Sequence, residues 1–170
     1  MPGYVGYQGS TYPSGQQSTV KRFEIPLFAA SDIWQGAPVC LASVGDWTVQ
    51  MVTSAAQKPI GVARDYAVAG NAVSVWDYGN IQRTYPGAGG SFSRQSYVGY
   101  VGTSSGVHPQ SGVTVTYPVL GQVAGTPSVA VGASTAAVWA VGVAYESAAL
   151  NDQAAYRIEP ALLSGLTTSN

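Results

Sequence analysis

Pro59-Ile60-Gly61-Val62-Ala63 and Ala140-Val141-Gly142-Val143-Ala144 are two copies of one pattern, and their reading decides the fold. An acidic residue follows each copy, Asp65 in the first and Glu146 in the second. An alanine-rich step comes next (Ala67 and Ala69; Ala148 and Ala149), then a polar turn (Gly70-Asn71; Asn151-Asp152). Each copy closes on an alternating segment, Ala72-Val73-Ser74-Val75-Trp76 or Ala154-Ala155-Tyr156-Arg157-Ile158. Alternation with a period of two is the mark of a half-buried strand. The repeat therefore predicts a duplicated β architecture. Gly61 and Gly142 hold the same place inside their strands, where glycine marks a bulge or a close backbone approach. They are expected to act as a structural pair.

The flanking sequence carries the same signature. Phe23, Ile25 and Leu27 alternate with Arg22, Glu24 and Pro26, and Pro26 confines that strand to an edge or an end. Val39-Cys40-Leu41 reads as a buried strand, Gly45-Asp46 as a turn, and Trp47, Val49 and Met51 as the inward face of the next strand. Residues 79–136 are glycine-rich and less regular, with a loop at Pro86-Gly87-Ala88-Gly89-Gly90, a Phe92–Val101 stretch whose Tyr97, Val98, Tyr100 and Val101 are interrupted by Gly99, and strands at Val113–Tyr117 and Ser128–Val131. Ala161–Ser164 fits one helical turn, ended by Gly165. Strands recur about every 8–12 residues, and no segment of helical length has a 3.6 period, so the fold class is an all-β barrel or sandwich. The expected organisation is an extended N-terminal arm over 1–20, a β-domain over 21–160 with halves at about 37–80 and 117–160, and a C-terminal tail over 161–170. Its core anchors would be Trp47, Trp76, Trp139, Ile60, Val62, Val141 and Val143, each contributing about 1.5–3 kcal/mol when fully buried.

Charged residues make up 9% of the chain, against about 25% in ordinary soluble domains. Interface cores are depleted of charge and rich in aromatics, so part of this surface is expected to be covered by other protein. Seven basic residues are spread thinly and the net charge is −1, which argues against a nucleic-acid partner. Cys40 is the one cysteine and lies in an apolar run, so it reads as a small buried hydrophobe. No cationic start followed by an apolar stretch is present. The longest nearly apolar run, Ala136–Tyr145, is short of the roughly 20 residues a membrane span takes. Synthesis in the cytoplasm and no membrane partner are expected.

Residues 1–20 contain no charge and are dominated by Gly, Ser, Gln and Pro, so they cannot build a core of their own. Tyr4, Tyr7 and Tyr12 are spaced through them, and Lys21-Arg22 follow. Tyrosine gives large contact area at low entropy cost, together with a hydroxyl for hydrogen bonding. These five residues are the expected partner-binding arm. Fully extended, 20 residues reach at most about 65–70 Å.

Candidate chemistry is weaker. Gly102-Thr103-Ser104-Ser105-Gly106 matches Gly-x-Ser-x-Gly, but that motif needs a strand-to-helix turn and a distant histidine. Here His108-Pro109 follows at once, and a plain Gly/Ser turn is the expectation. His108 and Cys40 are too few for a metal site. Asp65 with Asp77, and Glu146 with Asp152, are read as turn and strand-end residues instead of acid/base pairs. No phosphate loop or calcium loop occurs. No catalytic residue, cofactor or metal is expected.

Three stretches resemble the small capsid decoration (cement) proteins of tailed bacteriophages. They are Trp34-Gln35-Gly36-Ala37-Pro38-Val39, then Lys58–Ala63 with Ala69–Val75, then Val141–Ala144 with Ala148-Ala149 and Tyr156–Pro160. The chain differs from the family pattern at Ala37, where an acidic residue is usual, and in its tyrosine arm and long glycine-rich middle. The resemblance implies a non-enzymatic virion protein on the outer capsid surface, present in the host cytoplasm during assembly. It implies a homotrimer that clamps neighbouring subunits of the major capsid protein. A carbohydrate-binding or adhesive β-module of a surface fibre is the alternative, with Trp34 or Tyr97 as an aromatic platform.

Overall fold

The computed structural model describes residues 27–84, 87–124, 126–127 and 138–164. The arm, Lys21-Arg22, most of the strand expected at 23–27, the strand expected at 128–131 and the last six residues lie outside them.

Among the described residues every regular element is a strand. The first sheet contains β1 (Leu27–Ala29), β2 (Pro38–Leu41), β3 (Thr48–Met51), β4 (Gly61–Ala63), β5 (Ala72–Val73) and β6 (Val75–Trp76), in the order β5-β1-β3-β2-β4-β6. Its two outermost strands are one piece of chain. The segment 72–76 breaks at Ser74, pairs with β1 before the break and with β4 after it, and so closes the sheet into a small barrel. Closure removes exposed strand edges without a second sheet to cover them. The alternation seen in the sequence fills the barrel. Val39 is opposite Met51, and Ala29, Val49, Ala63 and Val73 join them inside.

The second sheet contains β7 (Ile81–Arg83), β8 (Tyr97–Val107), β9 (Thr114–Val123), β10 (Thr126–Pro127), β11 (Val138–Ala144) and β12 (Ala155–Ser164). Its order is β10-β12-β11-β8-β9, and β7 also pairs with β12. The duplication recurs bond for bond. Ile33 bridges Ala67 as Phe92 bridges Ala148, Gly36 N–H donates to Ala63 O as Gln95 N–H does to Ala144 O, and Ala29 N–H donates to Asn71 O as Ala88 N–H does to Asp152 O. Even the left-handed positions are shared: Gly36 with Gln95, and Gly70 with Asn151. The structural equivalence is wider than the sequence repeat, since the second unit starts upstream of residue 117. The cause is an enlarged hairpin. The paired residues Val39 and Met51 are twelve apart in the chain, whereas their counterparts Val98 and Gln122 are twenty-four apart.

The enlarged β8–β9 hairpin joins the units. Tyr117, Val115 and Val119 from β9 pack into the core of the first barrel. In return, Val62 and Trp76 from the first barrel pack into the second core, with Phe92, Val98, Leu120, Tyr156 and Ile158. Each unit completes the other's interior.

Three expectations change. Gly102–Gly106 is not a turn but the middle of β8, paired residue by residue with Val119–Val115; the real turn is at 108–113. Ala161–Ser164 is not helical but continues β12 alongside Val138–Ala140, so cross-strand pairing overrides local propensity. Pro160 is tolerated because the register breaks there, between Ala140 and Gly142 on the partner strand. Trp47 is not a core anchor; it sits in the β2–β3 turn, 56% exposed. Of the other expected anchors, Val62 and Val141 are buried, while Ile60, Trp76, Trp139 and Val143 are half-buried.

Gly61 and Gly142 are places where backbone meets backbone. A Cβ on Gly61 would lie 2.2 Å from the Trp76 carbonyl oxygen, and one on Gly142 2.0 Å from that of Arg157. At Gly102 the nearest atom to such a Cβ is 3.9 Å away. Overpacking of this kind costs about 1–3 kcal/mol or more. Gly142→Ala is therefore expected to lower unfolding free energy by about 3 kcal/mol in denaturant titration, while Gly102→Ala stays within about 0.5 kcal/mol of the parent. Equal effects at the two sites would remove the close-approach explanation.

Candidate interaction surfaces

The joint between the units is the most chemically dense part of the structure. Tyr117 stacks on Trp34 at 4.3 Å with the rings 17° from parallel. Tyr66 meets Trp34 edge-on at 5.2 Å, and His108 stands edge-on to Tyr66 at 5.4 Å. Gly106 lets the hairpin lie close, because a Cβ there would come within 2.8 Å of the Trp34 ring. His108 is fully buried. Its Nε2 lies 3.0 Å from the Ile33 carbonyl, and its Nδ1 accepts from Ser111 N–H at 3.2 Å. That pattern fixes a neutral imidazole with its proton on Nε2. The Ser111 hydroxyl donates to one oxygen of Asp32, and the other accepts from Ala69 N–H at 3.0 Å. The Ser111 hydroxyl, then the Ala69 N–H, holds the Asp32 carboxyl below its ordinary range, and burial opposes them.

These contacts give His108 a structural role. Both ring nitrogens are engaged, so neither is free to act as a base for Ser104, which is exposed on β8 opposite Tyr117. Burial raises the Cys40 thiol and keeps it neutral. The acidic residues read as pairs are separately occupied. Asp77 accepts from Asn80 at 2.8 Å, Glu146 accepts from Ala155 N–H at 3.0 Å and pairs with Arg83, Asp152 accepts from Ala149 N–H at 3.3 Å, and Asp65 faces Arg64 on the surface. Among the described residues no group of three or more His, Cys, Asp or Glu side chains is placed to hold a metal ion.

The remaining surface is notable for exposed apolar side chains. The β2–β3 turn carries Leu41, Val44 and Trp47, all more than half exposed. Tyr78, Ile81 and Tyr145 form a second exposed group around the β7–β12 edge, where Ile81 is paired with Arg157. A cleft of about 450 Å³ opens between Gly87–Gly89, Thr103, Val119 and Leu150, and no aromatic side chain lines it. Trp34 is buried under Tyr117, so it offers no platform to a sugar.

The arm residues Tyr4, Tyr7, Tyr12, Lys21 and Arg22 lie outside the described residues. The described chain begins with β1 at Leu27, and Phe28 N–H donates to the Trp47 carbonyl at 2.9 Å, so β1 starts beside the β2–β3 turn. Alternation had assigned Trp47 inward. The Gly45-Asp46 signal just before it was the clue to a turn position. The aromatic joint left no local trace, because its members come from four separate stretches.

Two expectations follow. Tyr117→Ala removes the stack and the aromatic that seals the first core, and is expected to cost about 3–5 kcal/mol in chemical unfolding. Asp32 has a depressed carboxyl pKa in the folded state, so its contribution is complete above the unfolded value of about 3.9 and is lost as pH falls through the folded value. The melting-temperature difference between the parent and Asp32→Asn should thus shrink as pH drops below about 4. A difference independent of pH would show that the Asp32–Ser111 link does not stabilise the joint.

In comparisons with known proteins, no protein-family model and no curated protein matches this chain.

Proposed function

We propose that this chain is a non-enzymatic structural protein that binds the outer surface of a phage capsid and stabilises the shell by clamping neighbouring major capsid subunits. The observation that carries this reading is a coincidence of place. A tyrosine-bearing N-terminal stretch, followed by Lys21-Arg22, precedes a β-barrel whose first described strand begins beside an exposed apolar turn. Among the described residues nothing comparable gathers catalytic groups: His108, Asp32, Asp65, Asp77, Glu146 and Asp152 are engaged in hydrogen bonds or ion pairs of their own. The resemblance of the repeat stretches to capsid decoration proteins supplies the partner, the major capsid protein, and the homotrimeric assembly. No cofactor, nucleic acid or membrane enters the reading, and the place of action is the virion surface, reached from the host cytoplasm during assembly.

Mechanically, two β-units that share cores resist shear better than two beads on a linker. A load on one unit must pull Tyr117 out of the other's interior to separate them. Low surface charge lowers the desolvation cost of covering that surface with protein. Three arms on a trimer would bind by multivalency, so modest single contacts sum to durable attachment.

Deleting residues 2–19 is expected to leave a folded β-body that co-sediments with expanded, undecorated shells at least tenfold more weakly than the full chain. Unchanged binding would take the arm out of the mechanism. Sedimentation equilibrium of the free protein at micromolar concentration should give a trimer mass, and a monomer would remove self-association away from the shell.

A further inference from the structure

The two units treat equivalent hairpins differently. In the second unit the enlarged β8–β9 hairpin is seated on Trp34, with His108 and Ser111 buried or bonded at its tip. Among the described residues the short β2–β3 turn of the first unit has no such seat. It presents Leu41, Val44 and Trp47 at 61%, 70% and 56% exposure.

Trp47 is held at φ 60°, in the left-handed region that favours glycine or asparagine. The turn is nevertheless pinned. Gly45 takes φ 80°, the Thr48 hydroxyl shares its one proton between Val44 O and Gly45 O, and Ala42 N–H closes on Thr48 O at 2.9 Å. A tight turn here asks for a small residue, yet the chain places its largest side chain in the strained position and points it into solvent. Backbone strain held by its surroundings gathers at ligand-contacting segments.

We propose that the Leu41–Val44–Trp47 turn is a second docking tip, which seats in an apolar, uncharged pocket on the same shell protein that receives the N-terminal segment. This rests on the capsid reading above. Three observations select that occupant. Asp46 is the one charged residue in 42–47, so a matching site is neutral and apolar, with an acceptor for the indole N–H. The described chain begins at Leu27, and Phe28 N–H donates to the Trp47 carbonyl, so the 26 residues that precede it lead into the same end of the first unit as the tip. No Lys or Arg occurs from 27 to 57, so the turn's own sequence carries none of the basic residues that draw exposed Trp/Leu loops to anionic lipid, and Lys21-Arg22 are the nearest in the chain before it. A buried tryptophan flanked by apolar residues is the usual form of an interface hot spot. The arm supplies reach, and the tip fixes orientation.

Two variants test this against undecorated shells, in co-sedimentation alongside thermal melting. Trp47→Gly relieves the strained φ while deleting the indole. It is expected to melt at or above the parent temperature yet bind shells at least tenfold more weakly. Val44→Ser should weaken binding with an unchanged melt. If both variants bind like the parent while deletion of 2–19 weakens binding, the tip is excluded and the shell reading stands. If the parent itself does not bind shells, both fall. Trp47-dependent binding to phosphatidylcholine vesicles in place of shells would overturn the protein partner in favour of a lipid surface.

Discussion

Tyr117 lies flat on Trp34, and the two units depend on that contact for their relative position. The stack is worth about 0.5–1.5 kcal/mol beyond area burial. Edge-on to the same Trp34 ring lies His108, fully buried with both ring nitrogens hydrogen-bonded. Those bonds tie the hairpin tip to the Ile33 carbonyl, and the Asp32–Ser111 bond ties it again from the surface side. The exchange is mutual, because Val62 and Trp76 pass from the first barrel into the second core. A duplicated chain has thus become one body by lengthening a single hairpin.

The glycine pair explains why duplication could be kept on both sides. In each unit the strand after the repeated apolar residue passes so close to its neighbour that a side chain would collide with a carbonyl oxygen. The second unit answers with a bulge at Ala140–Gly142, which also gives Pro160 a place without a ladder hydrogen bond. The repeat is scaffold. The parts suited to binding are those the units do not share: the turn at Trp47, and the segment that joins beside it.

Much of the fold could be read from the sequence. Period-two alternation located β3, the first part of β9 and the closing strands, a continuous apolar run located β2, and the matched glycines announced both the duplication and the close approach. What could not be read depended on distant partners. Gly102–Gly106 looks like a turn until β9 is placed beside it. Ala161–Ser164 looks helical until β11 offers a ladder. Trp47 fits the inward alternation of Val49 and Met51, and only the left-handed backbone at its own position reverses the side-chain direction. The joint of Trp34, Tyr66, His108 and Tyr117 is assembled across more than eighty residues of sequence, beyond the range of local pattern. The tyrosine-rich composition of the arm was visible at once, whereas the position of the start of β1 beside Trp47 needed the structure.

The central claim, attachment to a capsid exterior through the end of the first barrel, is tested most directly by electron cryomicroscopy of shells incubated with the intact protein. The account predicts two-unit β density in trimers on the outer surface, with the β2–β3 turn and the start of β1 facing the shell. Bare shells at saturating protein, or density with that end turned to solvent, would contradict it.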